Sequence, residues 1–310
     1  MKSVSIIIPL YNEAESLKEL TDKITAVLRR IKLDAWEILF VDDGSTDNSM
    51  EVIRALSAAD SKVKCISFSR NYGKAAALSV GFKAARCEAV VTMDADLQDD
   101  PEAIPDLLAK LDEGYDLVSG WKKVRHDPID KTLPSKFWNI GVSMLSGVKL
   151  HDFNCGFKAY RAKTAKQLDV YGERHRYLPV LAHWNRARIT EAVVPHHPRK
   201  YGKSKYGFGR IFRGIFDLMT LLFLRRYMKN PMHLFGLWGI ICMAMGFGVA
   251  AYFAVRWVID GSLHLRPLML LSVGAFLMGI QLFSIGLVGE MITHTGKRDE
   301  YLIEEELNTN

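Results

Sequence analysis

Ala89-Val90-Val91-Thr92-Met93-Asp94-Ala95-Asp96-Leu97-Gln98 is the stretch on which the reading of this chain turns. An apolar run of strand length stops at two carboxylates spaced two residues apart. A buried strand explains the run, and the carboxylates then lie at its carboxyl end. So much negative charge in one place is relieved by a divalent cation. Mg2+ usually takes one or two carboxylates, several waters and substrate phosphate oxygens, so Asp94 and Asp96 are candidate ligands and Gln98 can add an amide oxygen. Asp99 and Asp100 read as helix-start residues favoured by the helix dipole.

The same strand-then-acid pattern occurs upstream. Ile6-Ile7-Ile8 is a β-branched run stopped by Pro9 and followed by Leu10-Tyr11-Asn12-Glu13. Trp36 to Val41 is a second run, stopped by Asp42-Asp43-Gly44-Ser45. Val63 to Phe68 reads as a strand, and Leu117-Val118 as part of another. Between them lie helical patterns: Leu17, Leu20, Ile24, Leu28 and Ile31 at helical spacing, a helix to Ala59 capped by Ser45 or Thr46, Ala75 to Ala85, and one opened by Pro101. Alternating βαβα units predict an α/β fold, a mostly parallel sheet with helices on both faces. Ligands of such sheets bind at the carboxyl ends of the strands, so three strand ends bring acidic groups to one rim. Asp43 can accept hydrogen bonds from a ribose or base, or cap its turn through an Asx-type bond. Glu13, at a helix start, has the same two readings.

The chain has 310 residues and a formal net charge of +6. Its basic residues cluster at 199–213 and 225–229, which favours an anionic ligand or lipid headgroups; no nucleic-acid motif accompanies them. The four cysteines make no C-x-x-C pair and no zinc spacing, so they are expected to be reduced thiols in the cytosol. No signal-peptide core opens the chain, which predicts a cytosolic first domain.

From about Pro231 the composition changes. Met232 to Val255 and Leu268 to Met291 are each long enough to span about 30 Å of hydrocarbon, with the turn Asp260-Gly261-Ser262 between them. Arg225, Arg226 and Lys229 precede the pair and Lys297 and Arg298 follow it, which places both termini in the cytosol. The expected division is a catalytic domain over 1–208, an interfacial amphipathic helix and linker over 209–230, a transmembrane hairpin over 231–292 and a cytosolic tail over 293–310. The protein is therefore expected in the cell (inner) membrane as a multi-pass protein. A single hairpin is a small footprint, which leaves self-association to form a homo-oligomer open.

Two further segments carry chemistry. His196 to Gly207 is basic and glycine-containing, a clamp for phosphate or a loop attracted to anionic lipid. Its two histidines read as structural. Asp152 heads the small-residue turn Asp152-Phe153-Asn154-Cys155-Gly156-Phe157-Lys158, where it can orient an acceptor. No G-x-G-x-x-G follows the first strand, which disfavours a dinucleotide oxidoreductase.

These motifs together resemble the family 2 (GT-A fold) glycosyltransferases. The residues concerned are Ile6 to Glu13, Val41 to Asp47, Arg70-Asn71-Tyr72-Gly73-Lys74, Asp94 to Gln98, the Cys155-Gly156-Phe157 turn and Arg199-x-x-Gly202-x-Ser204-Lys205-Tyr206. With the membrane hairpin, the chain is most similar to the polyprenyl-phosphate glycosyltransferases, the dolichol-phosphate-mannose synthase group and its bacterial undecaprenyl-phosphate relatives. The resemblance implies inverting transfer of one sugar from a nucleotide sugar, GDP-mannose or UDP-glucose in type, to a polyprenyl phosphate. It implies Pro9, Tyr11, Glu13, Val41, Asp43, Lys74, Asp94, Ala95 and Asp96 around the nucleotide sugar, and Asp94, Asp96 and Gln98 on Mg2+ or Mn2+. Arg125, Lys158, Arg199, Ser204 and Lys205 are implied at the phosphate or acceptor, and Asp96 and Asp152 as catalytic. Many relatives carry Arg where Lys158 stands, so a flat bidentate contact is not implied there. The Gln-x-x-Arg-Trp signature of processive synthases is missing, which points to a single transfer. The other readings are transfer to a different lipid, such as a diacylglycerol, and a non-catalytic membrane scaffold.

Overall fold

A computed structural model describes residues 1–123, 139, 141–144, 146–170, 172, 174–198, 200, 220, 223, 230–261 and 267–295. Two compact units divide the chain at residues 217 and 218.

The first unit is built on a seven-stranded sheet. In chain order its elements are β1 (Ser3–Leu10), α1 (Ala14–Arg30), β2 (Ala35–Asp42), α2 (Ser49–Ala59), β3 (Val63–Ser67), α3 (Lys74–Ala84) and β4 (Ala89–Thr92). A single 3-10 turn then leads into α4 (Ile104–Asp112), followed by β5 (Leu117–Trp121), β6 (Lys158–Arg161), α5 (Ala162–Gln167), α6 (Leu178–Trp184) and β7 (Ile189–Val193). The strand order is β3-β2-β1-β4-β6-β5-β7; β6 runs antiparallel to both its neighbours and the other pairs are parallel.

The apolar runs are continuous because both faces of the sheet are covered. Ile6, Ile8, Ile38 and Phe40 pack on one side with Leu17, Leu20 and Ile24 of α1 and Leu107 of α4. Ile7, Leu39 and Val41 alternate to the other side, against Ala77, Leu78 and Phe82 of α3. Each fully buried side chain of this kind stabilises by about 1.5–3 kcal/mol. Gly81 lets α3 approach β1 closely: a β-carbon there would stand 2.6 Å from Ile7 Cγ2.

Two sequence expectations change. β1 does not stop at Pro9 but runs on to Leu10. Ile7 O accepts from Met93 N on the β4 side, so residue 9 faces that side as well, and β4 has already ended opposite Ile7. The missing N–H of Pro9 therefore removes no ladder bond. The second helix starts at Ser49 rather than just after Ser45 or Thr46. Both residues are drawn instead into a loop bonded to Asn12.

In the second unit α7 (Pro231–Asp260) and α8 (Pro267–Thr295) form an antiparallel hairpin. Gly239 faces Gly279 and Phe283, and Gly246 faces Ser272 and Phe276, so small residues let the two backbones close up. Met232 N donates to Glu290 Oε2 (3.4 Å), which places a carboxylate at the amino end of α7. Gly261 ends α7 in the left-handed conformation, with φ at 64°. Leu237, Trp238, Phe247, Leu270, Leu271 and Met291 are exposed, unlike side chains of a soluble core. Both helices are long and apolar enough to cross a membrane.

Candidate active site

The parallel strands β2, β1 and β4 end on one rim. At β4, Asp94 follows the strand and meets the ammonium of Lys74, the first residue of α3. Burial opposes the charge on Asp94. Lys74, by charge and hydrogen bond, then Lys122 and His175, outweigh it and hold the carboxyl at about 2. Asp96 is nearly buried, and its Oδ1 accepts Gln98 N (3.2 Å) across a turn in which Leu97 has φ 61°. Ala95 is buried between the two acids. Gln98 turns its amide nitrogen toward His197 O (3.5 Å), and Gln98 O accepts His197 N (2.9 Å).

Beneath this turn lies a pair that the sequence reading missed. Asp99 is buried, its Oδ1 is 2.8 Å from Lys122 Nζ, and its Oδ2 accepts weakly from Asp94 N (3.5 Å). Burial works against the charge on Lys122, but Asp99 outweighs it and keeps the ammonium above the ordinary lysine range. Asp99 is thus a support for Asp94, not the helix-start residue expected. Asp100 does fill the helix-start place, accepting Glu102 N (3.0 Å), and also holds His197 Nε2 at 3.1 Å. The signal for the missed pair was topological: Lys122 directly follows β5, whose end shares the rim.

At β2 the carboxylates serve the loops. Asp42 accepts Ser45 N (3.1 Å) and Ser67 Oγ (2.8 Å). Asp43 is buried, and its carboxylate accepts Tyr72 N (2.7 Å) and Gly73 N (2.9 and 3.1 Å). Burial, aided by Asp42, raises the Asp43 carboxyl above its ordinary value against those hydrogen bonds. Asp43 thus latches the loop at Tyr72 and Gly73, the second kind of role its place at a strand end allowed. The 10–14 and 43–49 loops are stitched together similarly. Asn12 N donates to Ser45 Oγ (2.9 Å), Thr46 N to Asn12 Oδ1 (2.7 Å), and Glu13 N to Ser49 Oγ (3.1 Å). Tyr11 and Glu13 stand half-buried after β1, on the rim. Pro9 and Val41 are buried near the ends of their strands.

The turn from Asp152 to Lys158 closes the other flank. Gly156 packs on Asp94: a β-carbon there would meet Asp94 Oδ2 at 2.8 Å. Thr92 Oγ1 donates to Gly156 O (2.8 Å), which ties the turn to β4. Asp152 is buried, and its Oδ1 accepts Asn154 N (3.1 Å), which shapes the turn. Lys158, implied at the phosphate or acceptor, is a sheet residue. It lies in β6, between β4 and β5, is buried, and points its ammonium at Phe153 O (3.4 Å) and Cys155 O. Burial lowers its pKa, and its contacts are with main chain. Burial also pushes the Cys155 thiol up to about 12, which rules it out as a nucleophile near neutral pH. All four cysteines are free.

The segment before the basic loop crosses the acidic turn, with a bridge between Asp99 and His196. Lys200 pairs with Glu19 (2.6 Å). Arg125, Arg199, Ser204 and Lys205, with the expected interfacial helix, lie outside the described residues.

The carboxylates fit a hard divalent cation. Asp94 already draws an ammonium onto one oxygen, and Asp96 stands two residues away on the same turn. Among the described residues no third His, Cys, Asp or Glu completes a ligand set, which matches an ion finished by substrate phosphates and water rather than an all-protein cage.

The model of glycosyl transferase family 2 matches residues 5–169, the segment that builds β1 to β6 and the acidic rim. The chain belongs to glycosyl transferase family 2. The GtrB C-terminal hairpin model matches residues 230–295. Dodecaprenyl-phosphate galacturonate synthase of Rhizobium johnstonii is 35% identical over 303 residues, covering 96% of this chain and 89% of that one. Undecaprenyl-phosphate 4-deoxy-4-formamido-L-arabinose transferase of Salmonella enteritidis is 36% identical over 300 residues, covering 94% and 88%. Glucosyl-3-phosphoglycerate synthase of Mycobacterium tuberculosis, solved with Mn2+, UDP and glucosyl-3-phosphoglycerate, shares the family 2 fold. It aligns with a TM-score of 0.57 at 18% identity, over 71% of this chain and 80% of that one.

Proposed function

We propose that this family 2 glycosyltransferase moves one sugar from a nucleotide sugar to a polyprenyl phosphate at the cytosolic face of a membrane. The observation that carries the reading is the presence, in one chain, of the Asp94–Asp96 rim and an apolar helix hairpin. The rim suits a nucleotide diphosphate, and the hairpin suits an acceptor confined to a bilayer. The two polyprenyl-phosphate transferases are similar to this chain along nearly its whole length, rim and hairpin alike.

Asp94 and Asp96 would hold Mg2+ or Mn2+, which when bound supplies charge neutralisation to the departing diphosphate. Lys74 contributes a second positive charge beside Asp94, within reach of the same phosphates. Asp99 and Lys122 fix the turn from below. Tyr11 and Glu13 border the nucleotide, with Asp43 shaping the loop around it. Arg125, Arg199, Ser204 and Lys205 remain assigned to phosphate or acceptor. Asp152 acts by shaping the turn that meets Asp94. A phosphate monoester has a second pKa of about 6 and is already anionic at neutral pH, so the acceptor needs no dedicated base. Anchoring the enzyme in the bilayer raises the effective concentration of a lipid-borne acceptor. Both termini are assigned to the cytosol, and a tag at either end should be protected in intact cells.

The test is a donor panel with purified protein and undecaprenyl phosphate, with and without a chelator. It includes GDP-mannose, UDP-glucose and nucleotide forms of uronic acids and 4-amino-arabinose derivatives. Chelator-sensitive transfer of one donor supports the reading, and no transfer from any donor overturns it. A product stable to mild acid would point instead to a glycoside on another lipid.

A further inference from the structure

Beyond the Asp94 turn, beside the end of β5, a second built cluster stands. Glu191 of β7, with its side chain 13% exposed, directs both carboxylate oxygens at one neighbour. Oε1 accepts His151 N (2.7 Å), and Oε2 lies 2.7 Å from His151 Nδ1. Oε1 also accepts Asp152 N (3.3 Å). The imidazole stacks on Trp121, the last residue of β5, with centroids 4.1 Å apart and planes 14° from parallel. Lys123 places its ammonium 5.8 Å from the centre of the same indole. The His151 side chain is nonetheless 65% exposed.

An exposed side chain is ordinarily free among rotamers, and fixing it costs entropy. Here a nearly buried carboxylate holds one edge of the ring and an aromatic plane holds one face. With Nδ1 turned to Glu191, Nε2 is the ring's remaining polar atom: a donor to a phosphate oxygen when both nitrogens carry protons, an acceptor from a phosphate O–H when only Nδ1 does. The position suits an attacking group. Asp94, Lys74 and Asp43 belong to the β2–β4 half of the sheet, while His151 stands at the β5–β7 end. The Asp152–Gly156 turn joins them, starting beside His151 and packing on Asp94.

We propose that His151, oriented by Glu191 and Trp121, binds the acceptor phosphate through Nε2, with Lys123 adding positive charge. This rests on the reading that the acceptor is a lipid phosphate. His151→Asn is the informative variant, since its amide can still donate to Glu191 but lacks the outward nitrogen. Full-length protein in detergent micelles is titrated calorimetrically with farnesyl phosphate, farnesol, phosphatidylglycerol and UDP. A charged hydrogen bond of this kind predicts farnesyl phosphate binding at least about ten-fold weaker in His151→Asn, with the other three ligands and the melting temperature unchanged. Glu191→Gln, which frees the ring, should weaken the same ligand by a smaller factor. It decides the matter if His151→Asn does not fold. Unchanged farnesyl phosphate binding in both variants overturns the proposal, as does no binding by the wild type, or a loss confined to phosphatidylglycerol or UDP. A wild type that binds farnesyl phosphate through His151 yet transfers no sugar would refute the proposed function and leave this site standing. A transferring enzyme indifferent to both substitutions would do the reverse.

Discussion

Gly156→Ala should disable the site without unfolding the protein. The added β-carbon would stand 2.8 Å from Asp94 Oδ2 and 3.0 Å from both Cγ and Oδ1. Ordinary contact needs about 3.4 Å or more, so the carboxylate must retreat by roughly 0.6 Å. Gly156 is outside the positive-φ region, so alanine adds no backbone strain. The Asp94 side chain is about one-third exposed (34%) and has solvent to move into, which keeps the stability cost small. Catalysis is less tolerant: a displacement approaching 1 Å at a positioned group can cost about 100-fold. The expected result is a transfer rate lower by about 10- to 100-fold, with a melting temperature close to wild type. Gly141→Ala, where a β-carbon meets nothing within 4 Å, is the control and should keep its rate. A Gly156→Ala enzyme with wild-type rate would refute the argument that this contact sets the position of Asp94.

Asp99→Asn leaves Lys122 as a buried charge without its carboxylate, and should destabilise the protein by about 3–5 kcal/mol in urea unfolding of the sheet unit. Lys74→Met tests the depressed pKa of Asp94. A carboxyl held at about 2 rather than 3.8 contributes stability above about pH 4 and loses it as the pH falls toward 2. The gap in melting temperature between wild type and Lys74→Met should therefore be widest near neutrality and narrow as the pH falls below 4. Cys155, pushed up to about 12, should resist iodoacetamide at pH 8 in the folded protein and react in urea, as read by mass spectrometry.

β1, β2 and β4 were legible because each is a mainly apolar run followed closely by an acid, a pattern that survives without any partner in view. β6 and β7 were not. Lys158–Arg161 carries charge at both ends and β7 is only partly buried, so neither shows the pattern of a core strand. Their pairing joins segments far apart in the sequence. That pairing also sets Lys158, implied at the phosphate or acceptor, in the middle of the sheet with its ammonium on main-chain carbonyls. At the site, residue type identified the acids but could not divide their tasks. Asp94 and Asp96 face the rim turn, whereas Asp42, Asp43 and Asn12 hold loops through backbone N–H groups that only the folded chain brings close. Asp99 and Lys122 were hidden by the same limit, because their pairing joins the turn after β4 to the end of β5, two places away in the sheet.

The central claim is single transfer of a sugar to a lipid phosphate. Its most direct measurement is mass spectrometry of the lipid made by the purified enzyme from undecaprenyl phosphate and its active donor. The account predicts one product, the acceptor mass plus one glycosyl unit, cleaved by mild acid, and none from Asp94→Asn. Products carrying several sugars, or unmodified lipid beside a hydrolysed donor, would contradict it.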